Sequence, residues 1–407
     1  MNSRWWASIA ARVLAAGMIL LCNVIGAQAG ERVILRFNKT EGSHPSSALI
    51  SDAAGNLYGT TTAGGEKDCG TVFELSPSSG GQWTEKVLYS FRGCTQVTLT
   101  PRGSMAIDPK GNLFGVQVGY SNSGQIFELK KGTNGAWSYS VIYVFGSNGS
   151  SEGSPNTDLV WDSVGNLYGT TASEFGTING EVFELSPQPS GIWKENVLYT
   201  FPAPNGVGYP VAGVTFDNKG NLYGGAFYGS NGAFGAVYEL SPQANGKWNL
   251  STLYNFTPAT GSELNSQLIF DASGNLYGTT RQLNTGVVFQ LSPTSSGTWK
   301  EKTIYTFRSG GDGNWPLGLV VDSNGNLYGS TSSGGRGCNG FLCGVVYRLR
   351  LSKSNSWNEA ILHNFESAED GSGPGAGLLL DNAGHLYGTT YYGGGRYGYG
   401  TVFEVTP

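Results

Sequence analysis

Short runs of alternating apolar and polar residues recur along this chain, each bounded by glycine, proline or small polar residues. The first copy of the pattern contains four such runs, at residues 47–51, 57–61, 70–75 and 83–91. Alternation combined with β-branched and aromatic residues is typical of half-buried strands. The pattern therefore predicts an all-β fold, with four strands in each unit.

The unit repeats through the sequence. A ten-residue stretch, Asp-Ala-Ala-Gly-Asn-Leu-Tyr-Gly-Thr-Thr, begins at Asp52 and returns with small changes about every 55 residues. The later copies begin at Asp108, Asp162, Asp217, Asp271, Asp322 and Asp381. A repeat of about 50 residues built from strands indicates a propeller or a solenoid. Seven copies predict seven blades.

The two ends of the chain favour a closed ring. The last copy stops after its third strand, and residues 31–37 match fourth strands such as residues 85–91. The N-terminal segment is therefore expected to supply the outer strand of the last blade, which would leave no open sheet edge. An open solenoid would need capping repeats instead. We predict one domain, residues 30–407, folded as a seven-bladed β-propeller with four antiparallel strands per blade.

The first 29 residues have the pattern of a secretory signal peptide. Arg4 and Arg12 accompany an apolar run that ends near residue 25, and Ala27-Gln28-Ala29 follows as a cleavage site. We expect cleavage after Ala29 and a secreted, periplasmic or extracellular protein. No second apolar segment follows, so no transmembrane segment is expected in the mature chain.

Four cysteines remain after the leader, namely Cys69, Cys94, Cys338 and Cys343. An even number in an exported protein indicates disulfides, and three pairings are possible. Proximity within the repeats favours Cys69–Cys94 and Cys338–Cys343. A zinc site is disfavoured because no histidine accompanies these cysteines.

The charge and the motifs exclude several classes of function. The net charge of −5 and the lack of a basic run argue against nucleic-acid and anionic-membrane partners. No nucleophile elbow, phosphate loop or histidine-rich cluster is present. We expect a monomer with no cofactor and no metal.

Features that recur in every copy are interpreted as structural. The aspartate of Asp-x-x-Gly-Asn is expected to accept backbone hydrogen bonds, and its glycine to adopt a positive φ. A calcium loop would need acidic or amide side chains where this turn has Ala, Ser, Val or Gly. The strand glycines, such as Gly59 and Gly224, predict close approach of another backbone near the axis. Tyr58, Phe73, Trp83 and their equivalents are expected to pack between blades.

The repeat resembles a known family. The succession Gly-Asn-Leu-Tyr-Gly-Thr-Thr, Gly-Thr-Val-Phe-Glu-Leu-Ser-Pro and Val-Leu-Tyr-Ser-Phe is similar to the GloVer-type tandem repeat of exported "choice-of-anchor" bacterial proteins. The Asp-x-x-Gly-Asn-Leu-Tyr turn also resembles, more distantly, the hairpin of NHL-type propeller repeats. The resemblance covers nearly the whole mature chain and implies an exported, β-propeller-like protein. It implies no particular activity.

Function is expected where the repeats differ. The loops between strands two and three, and those leading to the next blade, vary and should share one face. Aromatic residues in these loops are the candidate binding residues: Tyr120, Phe175, Tyr209, Phe227, Tyr228, Phe234, Trp315, Tyr391, Tyr392, Tyr397 and Tyr399. Aromatic rings among small polar residues suit recognition of sugars or peptides. The alternative is that these loops only pack over one another.

Candidates for catalysis are few, and we identify no catalytic residue. The histidines are His44, in a loop, and His363 and His385, which are interpreted as structural. Six loop acids could in principle serve glycoside cleavage, although nothing in the sequence pairs them; they are Glu152, Glu174, Glu263, Asp312, Glu369 and Asp370.

The sequence therefore favours a binding module for extracellular carbohydrate or a surface protein, rather than an enzyme. One alternative is a secreted glycoside hydrolase or polysaccharide lyase, which would show two carboxylates converging at the channel mouth. A second is a structural envelope or matrix component, which would show a flat loop face without a pocket.

Overall fold

The structure is a computed structural model. It describes residues 30–407 except 95–98, 120–122, 147–152, 156, 173–177, 203–205, 265, 283–284, 309, 337–342 and 367–368. The proposed signal peptide therefore lies outside the described residues. The described chain forms seven antiparallel sheets and no α-helix; a 3₁₀ turn covers Ser230–Gly232. No helix in this part of the chain is long and apolar enough to span a membrane.

The strands follow the repeat. In chain order they are β1 (Gly30–Arg36), β2 (Ser43–Pro45), β3 (Ile50–Ser51), β4 (Leu57–Ala63), β5 (Thr71–Pro77), β6 (Trp83–Ser90), β7 (Thr100–Ile107), β8 (Leu113–Val118), β9 (Gly124–Lys131), β10 (Trp137–Phe145), β11 (Ser154–Pro155), β12 (Val160–Trp161), β13 (Leu167–Ala172), β14 (Ile178–Pro187), β15 (Trp193–Pro202), β16 (Thr215–Phe216), β17 (Leu222–Ala226), β18 (Ala236–Pro242), β19 (Trp248–Asn255), β20 (Ile269–Phe270), β21 (Leu276–Gln282), β22 (Thr285–Pro293), β23 (Trp299–Phe307), β24 (Asn314–Val321), β25 (Leu327–Ser333), β26 (Val345–Leu351), β27 (Trp357–Asn364), β28 (Ser372–Pro374), β29 (Leu379–Leu380), β30 (Leu386–Tyr392) and β31 (Thr401–Thr406).

Each sheet is one blade of a seven-bladed β-propeller, with four antiparallel strand positions per blade. Blade 1 contains β2 to β6, blade 2 contains β7 to β10 and blade 3 contains β11 to β15. Blades 4, 5 and 6 contain β16 to β19, β20 to β23 and β24 to β27. Blade 7 contains β28 to β31 together with β1. The predicted fold class is confirmed.

The innermost strand differs from the continuous one predicted for residues 47–51. In blade 1 it consists of two pieces, β2 and β3, which pair with the two ends of β4. Blades 3 and 7 are split in the same way, and β7 has a register shift between Arg102 and Ala106. The intervening residues leave the hydrogen-bond ladder and line the axis of the ring, because an irregular stretch turns its backbone away from the neighbouring strand.

The ring closes as predicted. β1 pairs with β31 in antiparallel register, from Gly30 opposite Thr406 to Arg36 opposite Thr401. Just beyond β1, Phe37 is buried and makes an edge contact with Phe73 of blade 1, with ring centroids 5.1 Å apart. The N-terminal strand therefore completes the last blade and also joins the core of the first.

The repeated turn has its predicted structural role. In blade 1, Asp52 Oδ1 accepts the backbone N–H groups of Ala54 and Asn56, both at 2.9 Å. Its other oxygen accepts Asn56 Nδ2–H at 2.8 Å and the Tyr58 hydroxyl at 3.0 Å. Burial alone would raise the pKa of Asp52, but these hydrogen bonds outweigh burial and lower the pKa. Gly55 adopts φ +82°.

The core is divided among the interfaces between blades. One cluster joins Tyr58 of blade 1 to Leu113 and Phe127 of blade 2, and equivalent clusters repeat around the ring. Trp83 of blade 1 lies 5.8 Å from the ring of Tyr387 in blade 7. The expected packing of the tyrosine, phenylalanine and tryptophan positions between blades is thus confirmed.

The strand glycines have a different neighbour from the one predicted. A Cβ at Gly59 would lie 2.5 Å from Cζ of Phe73, which is the directly paired residue of the adjacent strand in the same blade. At Gly224 the corresponding obstacle is the hydroxyl end of Tyr238. The expected close approach of another backbone is therefore wrong. The glycine is needed because the aromatic ring of strand three folds over it.

Candidate functional site

The two ends of the propeller are built differently. The Asp-x-x-Gly-Asn turns and the Ser-Pro turns alternate at one end of the strands. The connections from strand two to three, and from strand four to the next blade, meet at the other end, which we call the loop face. All of the described aromatic candidates belong to these connections or to the strand ends beside them. Tyr120 and Phe175 lie outside the described residues.

The axis of the ring holds a channel of about 500 Å³, lined by one inner segment from each of the seven blades. The lining is mostly small or apolar, including Ala48, Gly318 and Gly377. Among the described lining residues, Asp158 is the single carboxylate, and its Oδ1 accepts the Ser104 backbone N–H at 2.6 Å. Gln267 Nε2 donates to the Val214 carbonyl at 3.0 Å. The described wall thus contains no pair of carboxylates.

Four residues at the start of inner segments adopt an unusual backbone conformation on the loop face. His44, Tyr209, Glu263 and Trp315 have φ between 55° and 59°, in the left-handed region that non-glycine residues seldom occupy. Three of them precede a proline, which normally favours an extended conformation. Such residues cost roughly 1–3 kcal/mol each and cluster at functional sites.

Hydrogen bonds from two blades hold this conformation. The His44 N–H donates to the Tyr399 carbonyl of the preceding blade at 2.8 Å, and Glu263 donates in the same way to Phe234 at 2.8 Å. The His44 carbonyl accepts the Thr62 hydroxyl of its own blade at 2.9 Å. His44 and Glu263 therefore lie at the seams between blades.

The largest aromatic cluster lies at the seam of blades 7 and 1. The rings of Tyr391 and Tyr392 are 4.7 Å apart, and the His44 ring lies 4.8 Å from Tyr391 and 5.7 Å from Tyr392. Tyr399 completes the group at 6.5 Å from His44 and stacks on Tyr397 with centroids 5.7 Å apart. Burial within this cluster lowers the pKa of His44.

Two smaller groups lie elsewhere on the loop face, one within blade 4 and one at the seam of blades 5 and 6. Phe227 and Tyr228 are 5.1 Å apart, and each ring lies 5.9 Å from Tyr209. The Arg281 guanidinium lies over the Trp315 ring, 4.2 Å from the ring centroid. The structure thus groups most of the described candidates into three clusters, while Phe234 stands apart with half of its surface exposed.

The exposed aromatic side chains are concentrated on this face. In the described part of the chain, the strongly exposed aromatic residues are Tyr228, Phe234, Tyr392 and Tyr397, with exposed fractions from 41 to 68%. All four were predicted as binding residues. The other strongly exposed large apolar residues are aliphatic and include Ile192, in a turn on the opposite face.

Beside the largest cluster lies a pocket of about 500 Å³, which we call the mouth pocket. Its lining includes Ser46, Thr62, Thr100, Arg102, Gly103 and Tyr391. Ser46 and Gly103 also line the axial channel, so the pocket adjoins the channel. Of this lining, sequence reasoning had identified Tyr391 alone. Arg102 is the residue by which the sequence could have indicated this pocket. It is an arginine in an inner segment, at a position where other repeats have small or apolar residues such as Ser46, Val211 and Gly375.

The loop acids do not form a catalytic pair among the described residues. Asp312 accepts the Tyr305 hydroxyl at 3.2 Å and the Arg308 N–H at 3.0 Å. Asp370 lies 3.0 Å from His363 Nε2, and Glu369 lies 3.6 Å from Arg36.

Two of the remaining acids, Glu152 and Glu174, lie outside the described residues, and the sixth, Glu263, is one of the strained seam residues. His385 contacts the turn residue Asp381 at 3.1 Å. The structural interpretation of His363 and His385 is consistent with these contacts.

The predicted disulfide between Cys69 and Cys94 is present and joins two loop-face segments. Cys343 is also disulfide-bonded, while Cys338 lies outside the described residues. The described side chains contain no group of three or more His, Cys, Asp or Glu that could hold a metal ion.

The family model of the Gloeobacter/Verrucomicrobia repeat matches residues 16–183 and 154–403. The chain belongs to this repeat family. The Gloeobacter/Verrucomicrobia repeat covers all seven blades, in agreement with the resemblance found in the sequence. No curated protein sequence matches the chain.

Solved structures share the fold. The extracellular domain of a putative one component system from B. thetaiotaomicron has a TM-score of 0.54 at 15% identity, with 91% of this chain covered. This chain spans 42% of the length of that domain. A periplasmic gluconolactonase from Pseudomonas aeruginosa has a TM-score of 0.53 at 16% identity, with 79% of this chain and 85% of that chain covered. At such identities the likeness shows the propeller fold alone.

Proposed function

We propose that this Gloeobacter/Verrucomicrobia repeat protein is an exported carbohydrate-binding module that holds its ligand at the loop face. The observation that carries the proposal is the exposed aromatic surface. Tyr228, Phe234, Tyr392 and Tyr397 are the strongly exposed aromatic residues of the described chain, and all lie on this face. Aromatic rings offer flat apolar surface with a polar edge, which suits the faces and hydroxyls of a sugar ring.

The shape of the loop face supports binding of a compact ligand. The mouth pocket, at about 500 Å³, falls within the usual range of ligand pockets. A structural envelope component was expected to have a flat face instead. Backbone hydrogen bonds across the seams fix the chain at Tyr399 and Phe234 before any ligand arrives, which lowers the entropic cost of binding.

Export is supported by the disulfide. The Cys69–Cys94 bond is of a kind that forms and persists in oxidising compartments outside the cytoplasm. Extracellular glycans are found in the same compartments. A protein surface remains the other candidate ligand, since aromatic loops also suit peptide recognition.

A glycan panel followed by calorimetric titration tests the proposal. We expect the purified protein to bind one or more polysaccharides without releasing product. Tyr391→Ala and Tyr392→Ala should weaken binding at least tenfold, because each removes a ring from the largest aromatic cluster.

The control is Ile192→Ala, which removes a strongly exposed apolar side chain from the opposite face and should leave the affinity unchanged. An equal loss of affinity in the control would contradict the loop-face site. Release of sugar products would favour the hydrolase or lyase alternative. No binding to any glycan would refute the carbohydrate proposal and leave a protein ligand to be sought.

A further inference from the structure

We propose that the mouth pocket selects an acidic sugar, with Arg102 binding the carboxylate of a uronic acid residue whose ring packs against Tyr391. This inference rests on the proposed carbohydrate-binding function and names its ligand class. It is carried by the juxtaposition of one cation, several hydroxyl groups and one aromatic ring in a single pocket.

Arg102 is the cation of this pocket that no acid neutralises among the described residues. Nearby loop cations are paired, with Lys39 2.9 Å from Asp68 and Arg92 2.6 Å from Glu66. Arg102 is exposed and makes no ion pair within the described part of the chain. A guanidinium group presents parallel N–H donors that match the two oxygens of a carboxylate.

The inner strand aims Arg102 into the pocket. In β7, Arg102 is the last residue before the register shift, and Gly103 follows with φ +69°. A Cβ at Gly103 would lie 2.5 Å from the Thr157 carbonyl of blade 3, so the chain can turn here only because this residue has no side chain. Arg102 pairs with Val116 of its own blade, and the Ser104 N–H donates to Asp158 of blade 3 at 2.6 Å, so the backbone beside Arg102 is held on both sides.

The other lining groups suit the rest of a sugar. Ser46, Thr62 and Thr100 supply hydroxyl groups, which can both donate to and accept from sugar hydroxyls. Tyr391 supplies a ring face, and its contacts with His44 and Tyr392 hold that ring in position. The net charge of the protein is −5, so a preference for an acidic sugar must come from this local site rather than from long-range attraction.

The test compares each acidic sugar with its neutral counterpart. The probes are trimers of galacturonate, mannuronate and glucuronate, each paired with its methyl ester, in calorimetric titrations at near-physiological salt. We expect at least one acid form to bind roughly ten- to a hundredfold more tightly than its ester, as hydrogen bonds to a charged group imply. Arg102→Ala should abolish that preference while leaving the weaker binding of the ester.

Two further variants sharpen the assignment. Arg102→Lys should keep a smaller preference, since lysine retains the charge but lacks the planar fork. Arg308→Ala removes an exposed loop-face arginine outside the pocket and should leave the preference intact. Because both arginines are exposed, the melting temperatures of all variants should match that of the parent.

The outcomes separate the two levels of the proposal. Equal affinity for acid and ester, or a preference that survives Arg102→Ala, would overturn the acidic-sugar assignment and leave carbohydrate binding standing. Tighter binding of a sulfated trisaccharide without carboxylates would overturn the carboxylate assignment. Failure of every trimer to bind, while neutral glycans bind elsewhere on the panel, would also overturn it. Only the absence of binding to every glycan on the panel would refute the proposed carbohydrate-binding function.

Discussion

In every blade, a single glycine of strand two makes room for an aromatic ring of strand three. Gly59 and Gly224 show this, since the ring of the paired strand-three residue occupies the space that a side chain would need. The tip of the ring lies over the glycine, and the ring is fully buried in the core. A Gly inside a strand usually weakens it, so packing over the glycine is what makes it favourable here.

Gly224→Val is expected to reduce the free energy of unfolding by about 1–3 kcal/mol or more, because Tyr238 has no room to move in a close-packed core. Differential scanning calorimetry or urea unfolding measures this. Gly310→Val is the matched control, since a Cβ there meets nothing within 4 Å. An unchanged melting temperature in Gly224→Val would refute the account of ring packing.

At three seams, a tyrosine of one outer strand contacts a glutamate of the next outer strand. The Tyr143 hydroxyl of β10 donates a hydrogen bond to Glu195 of β15 at 2.5 Å. Glu301 of β23 likewise accepts a hydrogen bond from the Tyr254 hydroxyl of β19. The closing strand β1 has Leu35 at the tyrosine position. At the seam of blades 7 and 1, Glu85 of β6 therefore faces Glu41 rather than a tyrosine hydroxyl.

This seam makes stability depend on pH. Burial, and then the charge of Glu41, raises the pKa of Glu85 from its ordinary value of 4.5 to about 8. Between these two values the folded state binds more protons than the unfolded state, so the free energy of unfolding falls as pH rises through that window. Glu85→Gln should remove this part of the pH dependence and should be more stable than the parent above about pH 8.

Urea unfolding of both proteins at several pH values across that window provides the measurement. The control is Glu195→Gln, which changes a glutamate that accepts a hydrogen bond from a tyrosine hydroxyl. This variant should keep the pH dependence of stability that Glu85 causes. Parallel pH profiles for the parent and Glu85→Gln would show that Glu85 ionises normally at the seam.

The whole ring depends on closure by one strand. Gly30 lies opposite Thr406 across β1 and β31, so in a protein prepared to start at Gly30 a short linker can join Gly30 to Pro407. The exposed turn between β22 and β23 could then be opened between Ser295 and Ser296. The new N-terminal strand would be β23, an outer strand that closes its blade as β1 closes blade 7.

This circular permutant is expected to fold and to unfold in one cooperative transition, at a melting temperature within several degrees of the parent. The reason is that opening an exposed turn removes no buried contact. Calorimetry of the permutant provides the check. Opening the chain between Leu268 and Ile269, in an inner segment, should instead prevent folding. If the permutant opened at the exposed turn stays unfolded, β23 cannot close its blade in the way that β1 closes blade 7.

Much of the fold could be predicted because each blade is encoded locally and repeated. The Asp52 turn, the strand runs and the match between residues 31–37 and 85–91 each follow from short-range sequence chemistry. The split inner strands were not predicted, since the departure of residues 46–49 from the ladder depends on how seven blades converge on one axis. The sequence identified the strand glycines, but it did not show that an aromatic ring of strand three packs against them.

The sequence alone determined the blade count, the closing strand and the face on which aromatic loops gather, because these depend on period and on strand connectivity. Only the tertiary structure decided which loop residues meet. His44 and Tyr391 lie at opposite ends of the chain and become neighbours through ring closure. Arg102 joins Tyr391 in one pocket because blades 7, 1 and 2 converge at the channel mouth. Such contacts are long-range, and no local pattern encodes them.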